Sequence, residues 1–231
     1  MTVGQLMGGT AGERTMDIER ARFNMVEQQI RTWDVLDQGV LDLLFEVKRE
    51  DFVPTAYRNL AFADLEIPLG DGVKMWTPKM EARVLQTLAL SPDESVLEIG
   101  TGSGYLTALL ASRKAKVTTI EINPRLETEA RTRLARTGID GIDVQRGDGA
   151  KGFGSDHYDA IVLTGSTPIL PETLIAQLKP GGRLFAVVGD APVMTARLVR
   201  VLDTDAVTTT DLFETVIDPL KNAARPTRFR F

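Results

Sequence analysis

The chain has 231 residues, with 27 Lys and Arg against 32 Asp and Glu, a net charge of −5, no Cys and one His. That composition excludes a disulfide framework, a thiolate zinc site, an iron–sulfur cluster, a two-His metal motif and a Cys nucleophile, and it leaves a Ser-His-Asp triad one possible base, His157. The acidic balance argues against neutralising nucleic-acid phosphates. No apolar run approaches the roughly 18 residues of a membrane span and no signal peptide is visible, so the expectation is a cytoplasmic protein without a metal, a membrane or a nucleic acid as partner.

Residues 1–15 are Gly-rich and polar, without an apolar period, and read as a flexible leader; Met16 would serve equally well as a start. From Asp17 the pattern is helical, with Phe23, Val26 and Ile30 expected on one buried face. A second helix follows the N-cap Asp37, with Val40, Leu43, Leu44 and Val47 as its apolar stripe. Residues 51–76, with Pro54, Pro68, Gly70 and Gly72, read as loop and short turns. Thr77 then caps a helix opened by Pro78, which has Met80, Val84, Leu85 and Leu88 on its buried side.

Beyond residue 94 strands and helices alternate. Strands are expected at 95–99, 116–121, 142–145, 158–163 and 183–188, with helices at 105–112, from Asn123-Pro124 to about Gly138, and after Pro171 with Leu174, Ile175 and Leu178 buried. Gly181-Gly182 is read as the turn into the fifth strand, and runs at 196–202 and 208–217 as an antiparallel hairpin. The expected fold is α/β: a doubly wound, mostly parallel seven-stranded sheet with an N-terminal helical extension. The organisation that follows is a leader at 1–15, a helical and loop region at 16–94, a ligand-binding core at 95–220 and a tail at 221–231, where Arg225, Arg228 and Arg230 form a solvated end.

In such a sheet ligands bind past the carboxyl ends of the strands. The loop there reads Gly100-Thr101-Gly102-Ser103-Gly104 and is preceded by Glu98. This spacing departs from the G-x-G-x-x-G of dinucleotide folds, and no Lys follows Gly104 as a Walker loop requires. Glu121 ends the second strand, where a carboxylate accepts from ribose hydroxyls. Asp148, in Gly147-Asp148-Gly149, follows the third and is placed to accept from an adenine amino group. Three carboxylates repel a phosphate-rich ligand and suit one with a ribose, an adenine and a positive centre, which describes S-adenosylmethionine. His157 lies in the connection into the fourth strand, at the amino edge of the sheet, which opposes a catalytic role.

The run from Val96 to Tyr105 resembles the first motif of class I S-adenosylmethionine-dependent methyltransferases, and in this form it is similar to the protein-L-isoaspartate O-methyltransferase family. The segments Met25-Val26-Glu27-Gln28-Gln29-Ile30, Arg49-Glu50-Asp51-Phe52-Val53-Pro54, Gly147-Asp148-Gly149 and Gln177-Leu178-Lys179-Pro180-Gly181-Gly182-Arg183-Leu184 extend the resemblance, and 216–220 resembles the family's closing strand. It implies a Rossmann-like core, S-adenosyl-L-methionine as cofactor and isoaspartyl residues of damaged proteins or peptides as acceptors, in a monomer or weak homodimer. It also implies cofactor contacts from Glu98, Gly100, Thr101, Gly102, Ser103, Gly104, Glu121, Ile122, Asp148, Gly149 and Thr164.

The chain departs from the family where a Thr-x-Ser-x-Pro segment is usual: it reads Lys74-Met75-Trp76-Thr77-Pro78, so Lys74 stands for the Thr and Trp76 for the Ser. Lys74, Trp76 and Thr77 are therefore the candidate acceptor-side residues. A carboxylate acceptor is ionised at neutral pH and needs no base. The alternatives are a small aromatic or quinone-like acceptor against Trp76, with Lys74 as the one nearby base for a phenol, and a non-catalytic cofactor-binding adaptor.

Overall fold

The computed structural model describes residues 17–202 and 206–226. The leader at 1–15 and Arg228 and Arg230 of the tail lie outside the described residues, and Arg225 is exposed. Helix α1 (Ile18–Asn24) is capped by Asp17, which accepts the N–H of Arg20 at 3.1 Å, and it widens into a π-helical turn over Met25–Ile30. Its buried face is Arg22, Met25, Val26 and Ile30, whereas Phe23 is 55% exposed, contrary to expectation. Arg22 sets the phase because Glu50 draws its guanidinium inward; Phe23, one residue on, is turned about 100° away from it. Helix α2 (Gln38–Glu46) starts at Asp37, whose carboxylate accepts from Val40, and its expected stripe is buried.

A 3₁₀ turn at Arg49–Asp51 leads into the stretch expected to be loop and short turns, which contains a second, Thr55–Leu60, and a small antiparallel hairpin of β1 (Ile67–Gly70) and β2 (Val73–Met75). Gly70, Asp71 and Gly72 all have positive φ, the geometry that Asp-Gly hairpin turns require. Helix α3 (Pro78–Leu88) has Pro78 at its first turn and Thr77 at its N-cap. The cap is backbone only: the Thr77 carbonyl accepts from Met80 and Glu81, and its hydroxyl makes no capping bond.

The main sheet has seven strands in the order β5-β4-β3-β6-β7-β8-β9. These are β3 (Ser95–Ile99), β4 (Lys116–Glu121), β5 (Ile142–Arg146), β6 (Tyr158–Leu163), β7 (Leu178–Asp190), β8 (Val193–Val201) and β9 (Val207–Glu214). The first five in spatial order run parallel, and β8 and β9 follow as an antiparallel meander. Helices α4 (Tyr105–Ser112) and α5 (Pro124–Ala135) make the crossovers, and Asn123 caps α5 by accepting from Arg125 and Leu126. Helix α6 (Glu172–Ile175) is a single turn, shorter than expected: Leu178 is buried as a strand residue, and β7 runs through Gly181-Gly182 with a bulge opposite Tyr158–Ala160 rather than starting after them. Residues 216–220, expected to close the sheet, instead leave it after β9 and are tied back by a bridge between Ser166 and Pro219.

Alternating strand residues serve two cores. Val96, Val117, Ala160 and Phe185 pack with the N-terminal helices, α3 and α4; Leu97, Ile99, Ile161 and Leu184 pack on the other face with Leu174 of α6. Buried Arg183 on β7 donates to the carbonyls of Leu88 and Asp159 and pairs with Glu94, which pins the end of α3 to the sheet. No helix of the described residues is long and apolar enough to cross a membrane.

Candidate active site

At the carboxyl edge of the sheet lies a cavity of about 410 Å³. Its floor is Glu98 at the end of β3, the loop Gly100–Ser103, Glu121 at the end of β4 and Thr164 after β6. Its roof is the β1–β2 hairpin, with Lys74 and Trp76, and its far wall is the segment with Asp218, Pro219 and Leu220. The topology explains this convergence: parallel strands all end at one edge, and the hairpin and the chain after β9 fold over it.

The glycine loop is shaped by its neighbours. Gly100 has φ +97°, and a Cβ there would lie 2.1 Å from the Thr164 hydroxyl, so no other residue fits. That hydroxyl donates to the carbonyls of Ile99 at 2.9 Å and Gly100 at 2.7 Å, and so couples the end of β3 to the end of β6. Thr101 is held from below, its hydroxyl 2.7 Å from that of Thr119. Gly104, at φ +87°, caps α4 where a Cβ would press on Leu134 and Ala130; it belongs to the helix packing and does not line the cavity.

Two carboxylates face this loop in different states. Glu121 accepts the N–H of Gly102 on one oxygen and that of Asn123 on the other, both at 2.9 Å. Glu98 is fully buried: Oε2 accepts from Thr107, and Oε1 has no partner. Burial pushes the Glu98 carboxyl up to about 7, against the hydrogen bond from Thr107. An unpartnered carboxylate oxygen in a cavity wall is costly, and a cationic donor relieves it.

Ile122 lines the cavity and also a recess of about 40 Å³ beside it, which contains Asp148 and Gly149. Leu220 and Lys221 line both spaces. Asp148 is exposed; it accepts from the N–H of Ala150 at 3.0 Å and from the Asn222 side chain at 2.8 Å.

The other end of the cavity is built by residues 66–81. Lys74 is 42% exposed and is shared between Glu66 at 3.0 Å and Asp218 at 3.2 Å. Its pKa is raised, first by the hydrogen bond to Glu66 and then by that to Asp218, so it stays protonated and cannot serve as a base at neutral pH. Trp76 is buried, meets Phe185 edge-on at 6.5 Å and presents part of its surface to the cavity, so it is both core and wall. Thr77, half-buried at the helix cap, does not line it.

Several residues with no local signature complete the site. Glu81, on the first turn of α3, lines the cavity and forms a buried ion pair with Arg49. Arg49 also donates to the carbonyls of Ala61 at 2.9 Å and Trp76 at 2.6 Å and lies over the Tyr105 ring. Val73, Leu106 and Pro219 add apolar surface. Asp71-Gly72, a hairpin signal in the sequence, marks the roof; Arg49 and Asp218 fall in segments that carry the family resemblance but with no role attached to them, and nothing local marks Glu81. His157 is exposed at the amino end of β6, on the edge of the sheet away from the cavity.

A mostly parallel sheet in this order, with a glycine loop after its central strand, an acidic end to the next and a cavity above both, defines a class I S-adenosylmethionine-dependent methyltransferase. The N-terminal helices and the roof built on them narrow the class. The chain belongs to the protein-L-isoaspartate(D-aspartate) O-methyltransferase family, whose model matches residues 20–222. It is 43% identical over 171 residues to the protein-L-isoaspartate O-methyltransferase of Methanoculleus marisnigri, covering 74% of this chain and 78% of that one. It is 42% identical over 184 residues to protein-L-isoaspartate O-methyltransferase 1 of Rhodopseudomonas palustris, covering 79% and 75%. The crystal structure of a Plasmodium falciparum family protein in complex with S-adenosyl-L-homocysteine shares the fold, with a TM-score of 0.72 at 20% identity over 88% of this chain and 98% of that one.

Proposed function

We propose that this chain methylates the free carboxylate of isoaspartyl residues in proteins or peptides. The observation that carries the reading is the family match, which spans the N-terminal helices and the hairpin roof as well as the glycine loop. Residues 16–94 then supply the acceptor side and 95–220 the cofactor side, in a cytoplasmic monomer or weak homodimer that requires no metal.

The residues present fit S-adenosylmethionine: Glu98 Oε1 is an orphaned carboxylate oxygen, the loop carries glycines at its closest approach, and Glu121 keeps lone pairs beyond its two backbone bonds. When bound, the cofactor supplies a methyl group on a sulfonium, activated for in-line displacement. Glu98 takes the ammonium of its methionine part, and Gly100, Thr101, Gly102 and Ser103 bring their backbone against it. Glu121 accepts from the ribose hydroxyls, Ile122 packs on the adenine, and Asp148 with Gly149 receives the adenine edge. Gly104 and Thr164 hold the loop in shape. The recess at Asp148 shares Ile122, Leu220 and Lys221 with the main cavity, so a ligand in the cavity reaches it along that common wall.

The protein's contribution to the rate is orientation, which is worth up to ~7–11 kcal/mol when the reacting atoms are held in line. The acceptor carboxylate arrives ionised, so no side chain need remove a proton. Lys74 acts as a strap from the hairpin to Asp218, Trp76 forms the flat wall behind the acceptor, and Thr77 fixes the backbone between Trp76 and α3. A second reading, a small aromatic acceptor stacked in the cavity, is favoured by Trp76 alone; Lys74, held protonated, does not supply the base that a phenol needs.

Labelled S-adenosylmethionine with matched isoaspartyl and aspartyl peptides tests the proposal. Base-labile label is expected in the isoaspartyl peptide only. Absence of label alongside calorimetric cofactor binding overturns it, and label in a phenolic acceptor pool supports the second reading.

A further inference from the structure

The acceptor end of the cavity holds more carboxylates than an anionic acceptor tolerates, and most of them are already balanced. Glu66 and Asp218 share Lys74, and Asp71 pairs with Arg125 at 3.0 Å and lies in the field of Lys221, which lines the same cavity, so three cations stand against these three carboxylates. Glu98 and Glu121 belong to the cofactor end. Glu81 remains: it is 2% exposed, lines the cavity and sits one helical turn beyond Trp76. Its partner, Arg49, is 1% exposed and does not line the cavity. The cation stands one layer behind the wall and the anion stands in it.

We propose that the Arg49–Glu81 pair sets the charge that the cavity presents to both of its ligands, with Arg49 as a positioning residue that masks Glu81 so that an anionic acceptor can enter. The inference rests on the carboxylate-acceptor reading above. Charges buried in a low-dielectric wall act on a ligand far more strongly than surface charges do. With the pair intact the wall is close to neutral. Without Arg49 the bare carboxylate of Glu81 repels an acceptor carboxylate and attracts the cationic cofactor. Without the charge on Glu81, Arg49 attracts the acceptor through the wall and disfavours the cofactor.

The bonds from Arg49 to the carbonyls of Ala61 and Trp76 admit a simpler role, holding the roof in place. The two roles differ in sign. A scaffold role has Arg49→Gln and Glu81→Gln harm both ligands alike. A charge-setting role has them move acceptor and cofactor in opposite directions, with Arg49→Lys near wild type because it keeps the charge while giving up carbonyl bonds.

The test measures KM for an isoaspartyl peptide and the calorimetric Kd for S-adenosylmethionine in all three variants. For Glu81→Gln, which is isosteric, peptide KM is expected to fall about threefold and cofactor Kd to rise about threefold. For Arg49→Gln, peptide KM is expected to rise about tenfold while cofactor Kd holds or falls. Peptide KM rising in both Gln variants, or cofactor Kd unchanged in Glu81→Gln, overturns the proposal. If Arg49→Gln fails to fold, Glu81→Gln and Arg49→Lys still decide it. If wild-type protein leaves the isoaspartyl peptide unmethylated, the acceptor reading fails, and the opposed cofactor Kd values still judge the charge-setting role.

Discussion

Glu121 Oε2 accepts the backbone N–H of Gly102 at 2.9 Å, so the end of β4 and the glycine loop after β3 form one unit. The carboxylate that is placed for the ribose is the same group that sets the loop's shape. Glu121→Ala removes both functions. Losing a charge-assisted bond to the ligand and loosening the loop together are expected to weaken S-adenosylmethionine binding about 10- to 100-fold. Calorimetry checks this, and a change within twofold would restrict Glu121 to the loop.

Gly100→Ala places a Cβ 2.1 Å from the Thr164 hydroxyl at a φ of +97°. Destabilisation of about 2 kcal/mol or more is expected, from steric displacement and left-handed strain together. Thr164→Ala in the same chain removes the clash but not the strain, so denaturant melts of the double variant should recover only part of the loss. Additive losses would show that the two residues are not coupled.

Glu98 leads to a pH dependence. Its carboxyl, raised to about 7 by burial, is largely protonated below that pH in the free protein. A cationic ammonium partner selects the ionised form, so binding must release a proton there. Cofactor affinity is expected to fall as pH drops from 8 to 6, by up to about tenfold per unit below 7, and Glu98→Gln should flatten the profile and weaken binding at pH 8. A flat wild-type profile would show that Glu98 stays ionised throughout.

Lys74→Ala breaks two half-exposed ion pairs, each worth ~0–1 kcal/mol. Methylation of an isoaspartyl peptide is expected to fall less than about fivefold and to keep its pH profile. Loss of a limb along which kcat rises with pH would restore Lys74 to the role of a base.

The sheet was legible because its signals are local. The bounds of β3, α4, β4 and β6 coincide with those expected, and each of the three strands is followed within two residues by a glycine or by the capping Asn123. The β1–β2 hairpin does not stand out from the loop around it although Asp71-Gly72 announces it, because its strands are short and Pro68 interrupts one of them. The buried charges could not be found this way. Arg22 and Glu50 lie 28 positions apart and Arg49 and Glu81 lie 32 apart, and no periodicity links such partners. Phe23 lies outside for the same reason, since the long-range pull on Arg22 sets how the helix turns. At the site, the floor could be read from Glu98 to Glu121, while the roof and far wall depend on contacts such as that of Lys74 with Asp218, 144 positions apart.

The segment that follows β9 carries a temporal consequence. Asp218, Pro219 and Leu220 close the cavity, and the Ser166–Pro219 bridge seats them only after every strand of the sheet has been made. The chamber is therefore the last part of the described fold in chain order: the strands that carry its floor precede it, and its far wall is supplied by a segment with no strand of its own.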